Sequence, residues 1–257
     1  MDKFSEQVVV ERVIVSMQEN LGERLTVDDM ARSAMFSKFH FTRVFQRVTG
    51  VSPARFLSAM RIQEAKKLLV STAFTVADIS YQVGYNSPGT FSSRFKESVG
   101  VSPIAYRQLR GYAPVPAQRR GSELECRSST LRGDMQVCGE GERGLTFVGL
   151  FRDPIPQGNP VSCSVLSEPG DFVLESVPEG TWYLLAQSVA PGAEETVTGS
   201  IGPDGAPFVG SRGPLVVHQD VPVIDVDLDL RPARAMDPPV LLALLDVRTA
   251  ALQERAS

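Results

Sequence analysis

The 257-residue sequence predicts two domains of opposite grammar: an all-α half of seven helices, then an all-β antiparallel sandwich followed by a C-terminal helix. Three observations carry this. Residues 5–110 place apolar side chains at helical spacing, and residues after 144 place them in short alternating runs. Between them, 111–143 is rich in Pro, Gly, Ser and charge without a sustained period, which reads as a linker. The charge divides at the same place. Residues 1–120 hold 17 basic and 10 acidic side chains and the remainder 9 and 20, so the net −4 combines a basic front with an acidic rear. A basic half suits a polyphosphate partner, because each neutralised phosphate releases counterions. Charge alone is equally met by solvated helices, so pattern has to decide.

The first helix carries Val9, Val10, Val13, Ile14, Met17 and Leu21 on one side. Thr26, ahead of Asp28 and Asp29, reads as an N-cap with acids in the first turn. Ser52-Pro53 and Ser102-Pro103 each supply a cap and a first helical position. The helix opened by Pro53 buries Phe56, Met60, Ala65, Leu68 and Leu69; about 17 residues make it roughly 25 Å long. Gly84 suits a helix C-terminus. In the second half "LTFVGLF", "VSCSVL", "DFVLESV" and "TWYLLAQSV" read as strands. In "IDVDLDL", Ile224, Val226, Leu228 and Leu230 alternate with Asp225, Asp227 and Asp229, a half-buried strand with one acidic face. "PPVLLALLDVRTAALQER" reads as the terminal helix, opened by Pro238 and Pro239. Its "VLLALL" is too apolar to stand exposed, so it packs on the sandwich or pairs between subunits.

The helical half contains itself twice. "LTVDDMARSAMFSKFHFTRVFQRVTGVSP" (25–53) aligns with "FTVADISYQVGYNSPGTFSSRFKESVGVSP" (74–103) after one insertion. Thr26, Asp29 and Met30 match Thr75, Asp78 and Ile79, and from Ser37 onward the offset is a constant 50. Each copy is a short helix, a tight turn and a helix opened by Ser37 or Ser87, which is helix-turn-helix logic. Successive major grooves on one DNA face lie about 34 Å apart. The connecting helix plus the widths of the two motifs can span that distance, and a shortfall is met by bending the DNA.

With "LTVDDMA", "HF-TRVF", "RIQEAKKLL", "VADISYQVGY" and "FSSRFKESVGVSPIAYR" in place, residues 8–110 resemble the DNA-binding domain of the AraC/XylS family of bacterial transcription regulators. The resemblance implies two helix-turn-helix units reading adjacent grooves of double-stranded DNA. It gives residues 1–110 as the DNA-binding domain and 144–257 as a sensor or assembly domain. Lys38, Phe39, Thr42, Arg43, Gln46 and Arg47, opposite the buried Phe41, Val44 and Phe45, match the family's base- and phosphate-contacting positions. Arg43 suits guanine O6 and N7, Phe39 or the Thr42 methyl a thymine methyl, and Lys38 and Arg47 phosphates. The second helix offers Pro88, Gly89, Thr90, Ser92, Ser93 and Lys96, small or polar groups that approach a backbone closely and encode little. The family more often places its sensor first, whereas here the reader leads.

The remaining motifs carry little chemistry. His40, between Phe39 and Phe41, reads as a local packing or capping residue, and one further histidine, His218, makes a poor catalytic set. "GEGERG" (139–144) matches a dinucleotide fingerprint but precedes a strand. The aspartates at 225, 227 and 229 lack the glycine of a calcium loop, and Cys126 and Cys138 lack a histidine pair, so neither metal nor cofactor is expected. Three cysteines, with no signal-like or membrane-length apolar run, predict a cytoplasmic protein without a membrane partner. "GDFVLESVPEGTWYLLAQ" (170–187) is similar to transthyretin-like, carboxypeptidase-regulatory-like sandwich repeats, with Trp182 in place of the usual tyrosine. Attached to a DNA reader, such a domain implies a small-molecule effector or a homodimer, with Trp182 and Tyr183 as the candidate ligand contacts. The expectation is therefore a transcription regulator, activator or repressor, and not an enzyme. The alternatives are an architectural DNA-binding protein without effector, or an enzyme with its catalytic part in the C-terminal domain, for which no nucleophile–base set is found.

Overall fold

The computed structural model describes residues 3–111, 128–139, 144–189, 207–218 and 220–241. It forms two compact units, one of helices together with Arg234–Leu241 and one of strands. The helices are α1 (Lys3–Glu19), α2 (Val27–Ser33), α3 (Lys38–Thr49), α4 (Pro53–Ser71), α5 (Val76–Gln82), α6 (Pro88–Val99) and α7 (Pro103–Gln108). The strands are β1 (Ser129–Val137), β2 (Thr146–Phe151), β3 (Cys163–Leu166), β4 (Asp171–Val177), β5 (Gly180–Ser188), β6 (Phe208–Val217), β7 (Val223–Asp225) and β8 (Leu228–Pro232).

The internal repeat is a repeat of physical devices. Both α2 and α5 open with a capping box: the Thr26 hydroxyl accepts from Asp29 N–H at 3.2 Å while the Asp29 carboxylate accepts from Thr26 N–H at 2.9 Å. The corresponding distances at Thr75 and Asp78 are 3.1 and 3.0 Å. These threonine hydrogen bonds hold both carboxyls below the ordinary aspartate range, because they favour the charged form. Both α3 and α6 end in a left-handed glycine, Gly50 and Gly100, which costs no Cβ clash.

A chain of three aromatic rings then buries each recognition helix. Phe41, Phe45 and the α4 residue Phe56 stand at centroid spacings of 5.5 and 5.5 Å. Phe91, Phe95 and the α7 residue Tyr106 stand at 5.7 and 5.5 Å. All six are nearly inaccessible to solvent, and burial pushes the Tyr106 hydroxyl well above the ordinary tyrosine range. The 50-residue offset therefore extends into the helix after each motif. Of the expected first stripe, Val10, Val13, Ile14 and Met17 on α1 and Leu21 just beyond it are buried, while Val9 is half-exposed. α4 runs 19 residues, about two longer than expected from sequence, and at 1.5 Å per residue is about 28 Å long.

The second unit differs from the expected antiparallel sandwich. Its strands form one sheet in the order β3-β2-β5-β6-β8-β1-β4, with β7 also on β1. The two ends return toward each other, the Ser162 hydroxyl donating to the Glu175 carbonyl at 2.8 Å, so the sheet is a nearly closed barrel around one core. Leu131, Val148, Leu174, Leu184, Phe208 and Leu230 come from six different strands into that core. Closure depends on β1, which pairs antiparallel with β4 but parallel with β7 and β8. β1 lies inside the stretch expected to be linker. Its alternation is hidden by Gly133, where a Cβ would stand 2.0 Å from the Val226 carbonyl oxygen; only glycine admits the kink between β7 and β8. The acidic strand "IDVDLDL" is accordingly split at 226–227. Its alternation survives, with Val226, Leu228 and Leu230 buried and the three aspartates exposed.

The chain after β8 departs from expectation too. Residues 238–241 are irregular, and the rest of the expected terminal helix lies outside the described residues. Val240 and Leu241 join the helical unit rather than the strands. The ammonium of Lys66 on α4, 1% exposed, donates to the Val240 carbonyl at 3.4 Å. Pro238 and Pro239 supply no N–H groups, and a carbonyl beside a buried ammonium offsets part of its desolvation.

The two motif turns solve one backbone problem differently. Met35 adopts φ 56° and is 90% exposed, where the second copy has Gly84 at φ 84°. Met35→Gly should raise the stability of the helical unit by about 0.5–1 kcal/mol, because the left-handed cost of a side chain exceeds the entropy of the bare residue. Gly84→Ala should lower it by at least about 1 kcal/mol. Urea unfolding followed by helical circular dichroism measures both, and two effects of the same sign would contradict this account.

Candidate nucleic-acid interface

α3 is opened by Ser37, whose hydroxyl accepts from His40 N–H at 3.3 Å. The His40 ring meets Phe36 edge-on at 4.7 Å, so this histidine packs locally as expected. With Phe41, Val44 and Phe45 buried, Lys38, Phe39, Arg43, Gln46 and Arg47 are exposed on the other side and Thr42 is half-exposed. Phe39 is 73% exposed, an unfavourable position for a ring that contacts nothing but water. The centre of the Arg43 guanidinium lies 5.8 Å from its ring centroid, one helical turn away. That stack holds the planar fork of Arg43 outward.

Three of the six residues already have ion-pair or hydrogen-bond partners. Lys38 Nζ pairs with Asp28 Oδ2 of α2 at 2.8 Å, and Arg47 Nη2 with Glu6 Oε1 of α1 at 2.5 Å. The Thr42 hydroxyl donates to the Lys38 carbonyl at 2.9 Å, leaving its methyl as the outward group. Asp28 and Glu6 were not legible as members of this face. Asp28 reads in sequence as a first-turn helix acid, and Glu6 lies 41 residues from Arg47. Both ion pairs tie the recognition helix to its own scaffold. The exposed Lys38–Asp28 pair is worth about 0–1 kcal/mol, so exchange for a phosphate is inexpensive.

α6 presents a different surface on the same frame. The Ser87 hydroxyl accepts from Thr90 N–H at 3.1 Å, and Phe91, Phe95 and Val99 are buried. Gly89, Thr90, Ser93 and Lys96 are exposed, and Pro88 and Ser92 half-exposed. Under the 50-residue offset, Gly89 replaces Phe39 and Ser93 replaces Arg43, so the cation–ring stack has no counterpart here. Arg94, which sequence reading passed over, replaces the buried Val44 and reaches Glu97 at 3.1 Å instead of turning inward.

The strand unit separates its two candidate ligand residues. Trp182 is part of the core, its indole N–H donating to the Pro178 carbonyl at 2.9 Å across the bare face of Gly180. That contact explains the Pro-x-Gly-x-aromatic spacing. Arg152 stands 5.7 Å from the Trp182 ring centroid. Tyr183 points the other way and is half-exposed. Among the described residues no group of three or more His, Cys, Asp or Glu is placed to hold a metal ion. No described helix is long and apolar enough to cross a membrane.

Residues 30–109 match a helix-turn-helix domain family. Over 99 residues the chain is 34% identical to the HTH-type transcriptional activator AarP of Providencia stuartii, covering 38% of this chain and 73% of that protein. Over 107 residues it is 33% identical to the transposon Tn10 TetD protein of Escherichia coli, covering 42% of this chain and 78% of that one. Several longer relatives are spanned over only 32–35% of their length. Among solved structures, a transcriptional regulator from Chromobacterium violaceum with an AraC-type DNA-binding domain is 26% identical. It covers 40% of this chain and 93% of that one, with a TM-score of 0.39.

The Phe39–Arg43 stack gives a measurable expectation. In a double-mutant cycle of Phe39→Ala and Arg43→Ala read by duplex DNA affinity, the two changes should couple by about 0.5–1 kcal/mol. Strict additivity would mean that the ring does not orient the guanidinium.

Proposed function

This chain belongs to the AraC/XylS family of DNA-binding transcription regulators, and from that premise we propose a division of labour between its two recognition helices. α3 specifies the operator and α6 positions the protein on it. The observation that carries this is the contrast on a common frame. Each helix buries the same pair of phenylalanines, yet Lys38, Phe39, Thr42, Arg43, Gln46 and Arg47 face outward from one, and Pro88, Gly89, Thr90, Ser92, Ser93 and Lys96 from the other. Arg43, stacked on Phe39, donates two hydrogen bonds to a guanine edge. The ring and the Thr42 methyl pack on thymine methyls. Lys38 and Arg47 leave Asp28 and Glu6 for phosphates. The small residues of α6 let backbone approach backbone and contribute register rather than sequence.

The strand unit supplies regulation in this reading, by binding a small molecule or by pairing two copies, and the protein works in the cytoplasm. Activation is supported by the likeness to AarP, a transcriptional activator. Tyr183, half-exposed beside the core, is a better placed ligand contact than Trp182, whose indole is committed to the fold.

Binding-site selection from randomised duplexes tests the division of labour: most of the sequence information should lie in the half-site under α3, and equal information in both half-sites would refute it. Affinity should fall with salt at a log–log slope of about −0.9 per phosphate contact. Arg43→Ala should cost about 1–3 kcal/mol at one guanine-containing position and little elsewhere. Asp28→Asn, which frees Lys38, should strengthen binding to all sequences alike; weaker binding would show that Asp28 holds Lys38 in its working position.

A further inference from the structure

A covalent connection through α4 sets how far apart the two recognition helices stand, but not how they are turned. On either side of α4, at residues 50–52 and 72–75, the chain leaves helical geometry, so the length of α4 alone does not fix the rotation of the motifs beyond it, a freedom that tertiary contacts have to remove. On DNA that freedom is costly, because one base pair of extra spacing corresponds to a rotation of about 35° and a rise of about 3.4 Å. A protein selecting one spacing has to hold its helices within about half such a step.

The helical unit contains a contact that removes this freedom. Arg61, near the middle of α4, donates from Nε to the Leu21 carbonyl at 3.0 Å and from Nη2 to the Glu23 carbonyl at 2.7 Å. It thereby grips the turn that leads from α1 into the first motif. The same guanidinium lies on Gly84, in the turn between α5 and α6, where a Cβ would stand 2.6 Å from Nη2 and 2.5 Å from the Leu21 carbonyl oxygen. From the opposite side, a Cβ on Gly22 would stand 2.7 Å from the Gln82 carbonyl oxygen. One helical turn earlier on α4, the Ser58 hydroxyl stands 3.4 Å from the Tyr85 hydroxyl. Three chain segments thus meet on one face of α4: the entry to the first motif, the connecting helix, and the turn of the second motif. Backbone approaches backbone there, so neither motif rotates without separating them.

We propose that this junction sets the half-site spacing the protein accepts, and that Gly22, Arg61 and Gly84 are positioning residues for operator recognition that touch no base. The lever is short and stiff. α6 begins four residues after Gly84 and runs 12 residues, about 18 Å. A displacement of a few tenths of an ångström at the turn therefore grows along the helix. Gly84 also needs its left-handed φ of 84°, whereas Gly22 does not, which makes Gly22→Ala the cleaner probe.

The inference rests on the DNA-binding reading, and two measurements keep them apart. In the first, the full-length protein and its Gly22→Ala, Arg61→Gln and Arg61→Lys variants select from a library of duplexes with two half-sites at spacings varied by single base pairs. The unaltered protein should favour one spacing at least ten-fold over its neighbours. Gly22→Ala and Arg61→Gln should reduce that preference below three-fold, or shift the optimum by one base pair. Base preferences inside each half-site should stay unchanged, and Arg61→Lys should fall between. An unchanged spacing profile, with or without weaker binding, would overturn the proposal, as would altered base preference within a half-site. In the second, spin labels at Gln46→Cys and Lys96→Cys report the distance between α3 and α6 without DNA, with Cys126, Cys138 and Cys163 changed to Ser. The distribution should be narrow, and should broaden or shift by several ångströms in Arg61→Gln. No change there overturns the junction whether or not DNA is bound, while absent DNA binding with an intact distance effect removes only the reading beneath it.

Discussion

Burial of a three-ring aromatic chain is the constraint from which the rest of the helical unit follows. Phe41 and Phe45 lie four residues apart on α3 and lean on Phe56 of α4, and Phe91 and Phe95 lean in the same way on Tyr106 of α7. Each chain fixes the rotation of its recognition helix about its own axis, because exposing even one ring would forfeit about 1.5–3 kcal/mol. Once that rotation is fixed, residues 38, 39, 42, 43, 46 and 47 have nowhere to face but outward. The interface is what remains when the core has taken its share.

Polar devices adjust what the apolar frame sets. The capping boxes at Thr26–Asp29 and Thr75–Asp78 define where each motif starts, and Gly50 and Gly100 define where each recognition helix stops. Arginines tie the motifs to their flanking helices: Arg61 holds the Leu21 and Glu23 carbonyls, and Arg107 of α7 holds the Leu69 and Phe74 carbonyls at 3.0 and 2.6 Å. In both cases a guanidinium satisfies carbonyls left over where a helix has ended. The two copies differ on their outward faces, where packing imposes nothing.

Most of the helical unit was legible because its signals are local. Serine and threonine caps, a glycine stop and a repeated Phe-x-x-x-Phe spacing each act within a few residues, and they marked several helix starts in a region that does hold seven helices. The strand unit was legible only in part. Its strands after 144 announce themselves by alternation, but β1 does not, since Gly133 interrupts the pattern at the point where the Val226 carbonyl presses closest. Missing that strand turned a nearly closed barrel into an expected sandwich. Parallel pairing of β1 with β7 and β8 joins residues 93 apart, and no local pattern encodes such a partnership.

Sequence alone determined the helix-turn-helix repeat, the family, and the outward set on each recognition helix, because periodicity and capping are properties of neighbouring residues. Tertiary structure decided the rest. It joined Lys38 to Asp28 and Arg47 to Glu6, stacked Arg43 on Phe39, placed the Trp182 indole in a core rather than a binding site, and carried Val240 and Leu241 to the helical unit. It also brought Gly22 and Gly84 together around Arg61, two glycines that in sequence look like ordinary loop punctuation. The Arg47–Glu6, Lys66–Val240 and Gly22–Gln82 contacts join groups far apart along the chain, and their geometry depends on packing that no short window of sequence contains.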